Sequence, residues 1–89
     1  MRIQTTRKEG EAVQYTGGNI EEICEDFNLG YRVLRSYTSF RGKDCFDIRL
    51  GDTFQEEDLL AGDYVFRDAK TGEWSVIPIY EFEEYWEQT

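Results

Sequence analysis

The side chains able to do chemistry in this chain are almost all carboxylates: nineteen Asp and Glu stand against ten Lys and Arg, and there is no histidine. Two carboxylates flanking a bond can hydrolyse it as acid and base, but only where a cleft pushes their pKa values apart. Nothing in the sequence marks such a pair, and 89 residues leave little room to enclose one. Ser36, Ser39 and Ser75, like Cys24 and Cys45, have no histidine to act as their base. The two cysteines form no CxxC pair and read as reduced, buried thiols rather than zinc ligands or a redox couple. Glu56-Glu57-Asp58 and the stretch from Asp63 to Asp68 lack the alternating spacing of a calcium loop. Thr16-Gly17-Gly18 ahead of a helix looks like a phosphate cradle, but Glu21 and Glu22 in the first turn would repel an anion. The expectation is a protein that is not an enzyme, with no cofactor and no metal site.

The elements that must carry these carboxylates follow from periodicity. Hydrophobic residues at 39% and aromatics at 16% suffice for one core in one domain spanning residues 1–89. Residues 1–10 are polar and read as a flexible arm or an edge strand. Glu11 to Tyr15 alternates as a strand into the Thr16-Gly17-Gly18 turn. Asn19 is the expected N-cap of a helix whose Ile20, Ile23, Cys24 and Phe27 share a face, with Gly30 as its left-handed terminator. Tyr31 to Phe40 and Cys45 to Leu50 read as strands around a hairpin loop at residues 41–44. Tyr64 to Arg67 and Trp74 to Ile77 form a second hairpin around residues 68–72. Pro78 suits a first helical turn, and from Ile79 a last helix places Ile79, Phe82 and Trp86 inward. The expected fold class is α+β in the order β-α-β-β-β-β-α: an antiparallel sheet of four to five strands, its apolar face closed by two amphipathic helices.

Charge is segregated along the chain. Residues 1–51 hold eight acids and eight bases, whereas residues 52–89 hold eleven acids and only Arg67 and Lys70, so the whole net charge of −9 falls in the second segment. Glu81, Glu83, Glu84 and Glu87, if helical, span about 9 Å of rise, or one carboxylate per roughly 2 Å. Duplex DNA carries one phosphate per about 1.7 Å of axis, so a basic groove would meet a similar charge density. A solvated helix face accounts for the same residues, since Glu is a good helix former. Against it, acids in a last turn oppose the helix dipole and repel one another. The candidate partner-binding residues are Glu56, Glu57, Asp58, Tyr80, Glu81, Glu83, Glu84, Tyr85 and Glu87, the tyrosines at the margin of the apolar stripe serving as anchors. Such acidity argues against direct binding of nucleic acid or of an anionic membrane, and no uncharged run is long enough to cross a bilayer. Without a signal-peptide pattern, a cytoplasmic location is expected.

Glu11-Ala12-Val13-Gln14-Tyr15, Gly18-Asn19-Ile20-Glu21-Glu22-Ile23, Gly62-Asp63-Tyr64, Gly72-Glu73-Trp74 and the closing Tyr80-Glu81-Phe82-Glu83-Glu84-Tyr85 resemble a widespread set of short bacteriophage and prophage proteins. The likeness covers about half the chain and omits Tyr31 to Leu50. Where members of that set carry Cys-Lys-Pro-Asp before the last helix, this chain has Val76-Ile77-Pro78-Ile79. The resemblance implies a phage origin and, by analogy with small acidic phage proteins, inhibition of a host or defence protein, such as a CRISPR or other nucleic-acid-binding complex, through its basic surface. Two other readings stand beside it. One is a particle-associated phage protein acting by self-assembly, where the leading reading has a monomer or small homo-oligomer. The other is a protein sequestering a nucleotide signal, for which Arg32, Arg35, Arg41 and Arg49 are the candidate pocket residues.

Overall fold

A computed structural model describes residues 1–38, 44–51 and 57–89, with the side chains of 31–38 and 44–47 left outside the description. The elements in order are β1 (Arg2–Gln4), β2 (Glu9–Gln14), α1 (Ile20–Asp26), β3 (Tyr31–Thr38), β4 (Asp44–Leu50), β5 (Glu57–Leu60), β6 (Tyr64–Asp68), β7 (Trp74–Ile77), α2 (Ile79–Tyr85) and β8 (Glu87–Gln88). This is an α+β fold of antiparallel strands with two helices. The strands form two sheets, one of five strands in the order β7-β6-β2-β1-β8 and one of three in the order β3-β4-β5.

The five-stranded sheet is buried on both faces, because its central strands carry apolar residues at odd and even positions alike. Val13 and Val65 face one way, with Tyr15, Trp74 and Val76, onto α1 and onto Ile48, Leu50 and Leu59 of the smaller sheet. Ala12, Tyr64, Phe66 and Ile77 face the other way with Ile3, and Phe82 and Trp86 cover them. The two helices therefore lie on opposite faces of the sheet, where the sequence reading put both on one. Tyr64-Val65-Phe66 is an unbroken apolar run, the pattern of a strand covered on both sides.

Three strands enlarge the expected order. β1 pairs with β2 and is flanked on its other side by β8, with Ile3 fully buried between them. β5 takes up Glu57 to Leu60, a segment absent from the expected strand order. These strands of two to four residues show little alternation and, unlike β7, follow no turn signal that would mark them as half of a hairpin. Helix ends differ as well. Asn28, not Gly30, takes the left-handed conformation at φ 51°. The Leu29 N–H donates to the Cys24 carbonyl (2.7 Å) and the Asn28 N–H to the Glu25 carbonyl (3.1 Å), a Schellman closure with Leu29 folded into the core. Asn19 stands at the N-cap position but does not cap its own helix. Its Oδ1 accepts the Thr16 N–H (2.8 Å) and its Nδ2 donates to the Gln14 carbonyl (3.0 Å), tying the helix back to β2. Pro78 precedes α2 in extended conformation (φ −58°, ψ 144°) instead of occupying its first turn. The hairpin of β6 and β7 is as expected, with Tyr64 opposite Ile77 and Arg67 opposite Trp74. Most of the loop read at residues 41–44 lies outside the described residues.

Gly10 shows how closely the sheet is built. A Cβ there would collide with the Arg67 backbone carbonyl and stand 2.8 Å from the Phe66 ring. Gly10→Ala is expected to lower unfolding free energy by about 3 kcal/mol or more in urea titration, because backbone cannot yield as a flexible side chain does. A loss below about 1 kcal/mol would contradict this packing.

Candidate functional site

α2 is hung on the sheet by one carboxylate and two ring contacts. Asp63 is buried in the turn between β5 and β6. Its Oδ2 accepts the Leu60 N–H at 3.0 Å and its Oδ1 accepts the Ile79 N–H at 3.1 Å. The second bond satisfies a first-turn amide that Pro78, having no donor or polar side chain, cannot cap. Gly62, at φ 103°, leaves space that the Ile79 side chain uses: a Cβ there would stand 3.4 Å from Ile79 Cδ1. One turn on, the Phe82 ring stacks on Tyr64 with centroids 3.8 Å apart and planes at 13°. Trp86 meets Phe66 edge to face at 4.8 Å. Phe82 and Trp86 are half-buried against the sheet, whereas Ile79, expected inward, stays 37% exposed at the start of the helix over Gly62, and the remaining side chains of α2 turn outward.

Outward stand Glu81, half-buried, and Glu83 and Glu84, exposed, with Tyr80 at 72% and Tyr85 at 64% exposure. None of these acids forms an ion pair with a described residue. The ion pairs found join Arg2 to Glu9 (3.8 Å) and to Glu11 (3.6 Å), and the N-terminal amine to Glu11 (3.7 Å), all on β1 and β2. α2 has no basic residue in its last turn to offset the dipole.

The other expected site residues are placed elsewhere. Glu87 belongs to β8, paired with Gln4, so the four glutamates do not share one helix. Glu57 and exposed Asp58 lie on β5, across the five-stranded sheet from α2. Glu56 lies outside the described residues, as do Arg41 and the side chains of Arg32 and Arg35; Arg49 is half-buried on β4. The charge split along the chain conceals a second acidic face. Glu21, Glu22, Glu25 and Asp26 of α1 are all exposed, and none is ion-paired with a described residue. Of the bases that balance them in sequence, Arg2, Arg32, Arg35 and Arg49 are on strands and Arg7 and Lys8 in the β1–β2 loop.

Cys24 is a free, buried thiol whose pKa burial pushes up, which withholds the thiolate and with it nucleophilic chemistry. The Cys45 side chain lies outside the described residues. No group of three or more Cys, Asp and Glu among the described residues is arranged to hold a metal ion, and no described helix is long and apolar enough to cross a membrane. No protein-family model, curated protein or solved structure matches the chain.

Glu57 serves the fold. It lies on β5 where that strand meets β7, and the Val76 backbone amide near its carboxylate favours the ionised form. Its pKa is raised above the ordinary value, first by loss of water on burial and then by Asp58 beside it, while the Val76 amide pulls the other way. A carboxyl whose pKa rises on folding binds its proton more tightly in the folded state. Its contribution is therefore complete below the unfolded pKa and is lost as pH rises through the folded one. Glu57→Gln keeps an acceptor for Val76 and removes the charge. We expect it to hold or slightly raise stability at pH 7 and to flatten the dependence of melting temperature on pH just above the ordinary carboxylate range. A variant clearly less stable than wild type at pH 7 would show that the ionised form is the favoured partner.

Proposed function

We propose that this protein is a non-catalytic binding protein whose α2 face docks on a basic, nucleic-acid-binding surface of a host or defence protein and blocks it. The observation that carries the reading is the pairing on one helix of Glu81, Glu83 and Glu84, which form no ion pair with a described residue, with the protruding rings of Tyr80 and Tyr85. Tyrosines bury large area at little rotamer cost, and carboxylates steer encounter with a cationic groove. The helix gives up stability for this arrangement, since acids in its last turn oppose the dipole by a few tenths of a kcal/mol each. The likeness to short phage proteins supplies the class of partner, and the absence of an activated nucleophile among the described residues favours occlusion over chemistry.

Residues Glu57 and Asp58 are left out of this surface because the sheet stands between them and α2. Glu87 sits beyond the helix, toward β1. The docking face is thus a single helix about 10 Å long, which suits insertion into a groove.

The triple substitution Glu81→Gln, Glu83→Gln and Glu84→Gln tests the reading on a partner isolated with the wild-type protein from host lysate. The expected result is unchanged folding, binding weaker by about 1 kcal/mol or more and mostly in the association rate, and a shallower dependence on salt. Tyr80→Ala should instead speed dissociation, and nucleic acid should compete with wild type. Unchanged affinity and salt dependence in the triple variant would leave these carboxylates as a solvated helix face and end the proposal.

A further inference from the structure

The loop joining β1 to β2 and the loop joining β6 to β7 lie side by side, tied by the Ala69 N–H donating to the Glu9 carbonyl at 2.9 Å. Between them is a cleft of about 510 Å³ lined by Gln4, Thr5, Thr6, Arg7, Lys8, Glu9, Asp68, Ala69 and Lys70. Three of the ten cations of a chain with net charge −9 meet here. Arg7, Lys8 and Lys70 form no ion pair with any described residue.

Two carboxylates also line the cleft, so its lining carries one net positive charge, and each carboxylate has a partner in the fold. Asp68 Oδ1 accepts the N–H groups of Lys70 (2.8 Å) and Thr71 (3.2 Å). Glu9 faces Arg2 across the β1–β2 pair at 3.8 Å. Thr5 Oγ1 likewise accepts the N–H groups of Arg7 (3.2 Å) and Lys8 (3.0 Å), fixing the loop that carries both cations. Thr6 is exposed, and its N–H and hydroxyl have no bond to a described residue. The charged and hydrogen-bonding groups left over are thus mainly donors. Like charges held together in a fixed concavity repel, and a polyanion relieves that repulsion while taking charge-assisted bonds.

We propose that this cleft binds the phosphate chain of a small polyphosphate molecule, such as a nucleoside triphosphate. The volume lies within the range of roughly 300–1,000 Å³ usual for small-ligand sites and is more than one phosphate needs. No aromatic side chain is among the lining residues, so no ring is placed to stack on a base. Recognition rests on the phosphates and is indifferent to the nucleobase. The cleft adjoins the end of α2, since Gln4, Thr5 and Thr6 also border a smaller depression with Tyr85 and Glu87, but its cations come from the two loops and it uses none of the α2 carboxylates.

The test is titration of the intact protein with tripolyphosphate, ATP, GTP and UTP at fixed ionic strength, by calorimetry and by backbone amide NMR. The expected result is one saturable site, similar affinity for all four, and shifts concentrated at Thr6, Arg7, Lys8, Ala69 and Lys70. Lys8→Gln combined with Lys70→Gln should weaken binding by about tenfold, a loss of about 1.4 kcal/mol. Arg67→Gln is the charge control: Arg67 lies over the Trp74 ring, 5.6 Å from its centroid, and is not among the lining residues. It should change affinity less than about twofold, as expected of a charge that makes no direct bond to the ligand. No saturable binding at millimolar tripolyphosphate, equal losses in the double variant and in Arg67→Gln, or tighter binding of single-stranded DNA than of tripolyphosphate would each overturn the proposal.

Discussion

The Asp63 carboxylate is the tie on which the presented surface of this protein depends. Buried in a turn, it is held by amides and forms no ion pair with a described residue: Leu60 donates to one oxygen and Ile79 to the other. Taking a carboxylate out of water costs several kcal/mol unless its lone pairs are answered, so each amide is held to the position that answers it. The main chain around Asp63 is fixed as tightly. Its carbonyl accepts the Tyr15 N–H at 2.8 Å, the Gly62 N–H donates to the Tyr15 carbonyl at 2.7 Å, and Gln14 Nε2 reaches the Gly62 carbonyl at 3.1 Å. Asn19 extends the same knot from Gln14 to the start of α1. One short turn thus sets the positions of β2, β5, β6 and both helices relative to one another.

This arrangement explains how so acidic a chain folds. Apolar residues fill both faces of the central strands toward the turn at Asp63, so charge is driven to the outer arcs of the helices, to the loops and to the far ends of β2 and β6, where Glu9, Glu11 and Arg67 are exposed. Repulsion between the two helices is limited because a whole sheet separates them and dissolved salt at physiological ionic strength screens their exposed carboxylates over about 8–10 Å. Where one acid is drawn inward, at Glu57, the Val76 amide meets it and the raised pKa records the remaining cost. The molecule is consequently acidic on two opposed faces and carries a cluster of cations at the loop end of the large sheet.

The α+β class, the extent of α1 and the β6–β7 hairpin were legible because each has the period of its element over several residues. The placement of both helices on one face was not, because a rule of one apolar face per sheet was applied to strands whose Tyr64-Val65-Phe66 run signals two. Tyr80 and Tyr85 lie off the apolar stripe and are exposed as their positions indicate. Glu87 was read into the helix because it continues the Glu spacing, yet the chain turns extended at Trp86, whose ring is held by Phe66. Asp63 was weighed only as a poor calcium ligand. Its partners are sixteen residues ahead and three behind, and no local pattern carries the longer bond. The words that resemble phage proteins, Gly-Asn-Ile near the start of α1 and Gly-Asp-Tyr at the turn, prove to be this same knot.

Amide hydrogen exchange measures that knot directly. With Asp63→Asn only one carbonyl oxygen remains for the amides of Leu60 and Ile79, and at one fixed pH the account predicts a local loosening of α2. Protection of the Phe82 and Trp86 amides, which donate to the Pro78 and Phe82 carbonyls, should fall by about tenfold or more, while the amides of Ala12 and Val65 in the central strands lose much less. If the α2 amides keep their wild-type protection, or if every amide falls by the same factor, Asp63 is not the tie that presents this helix.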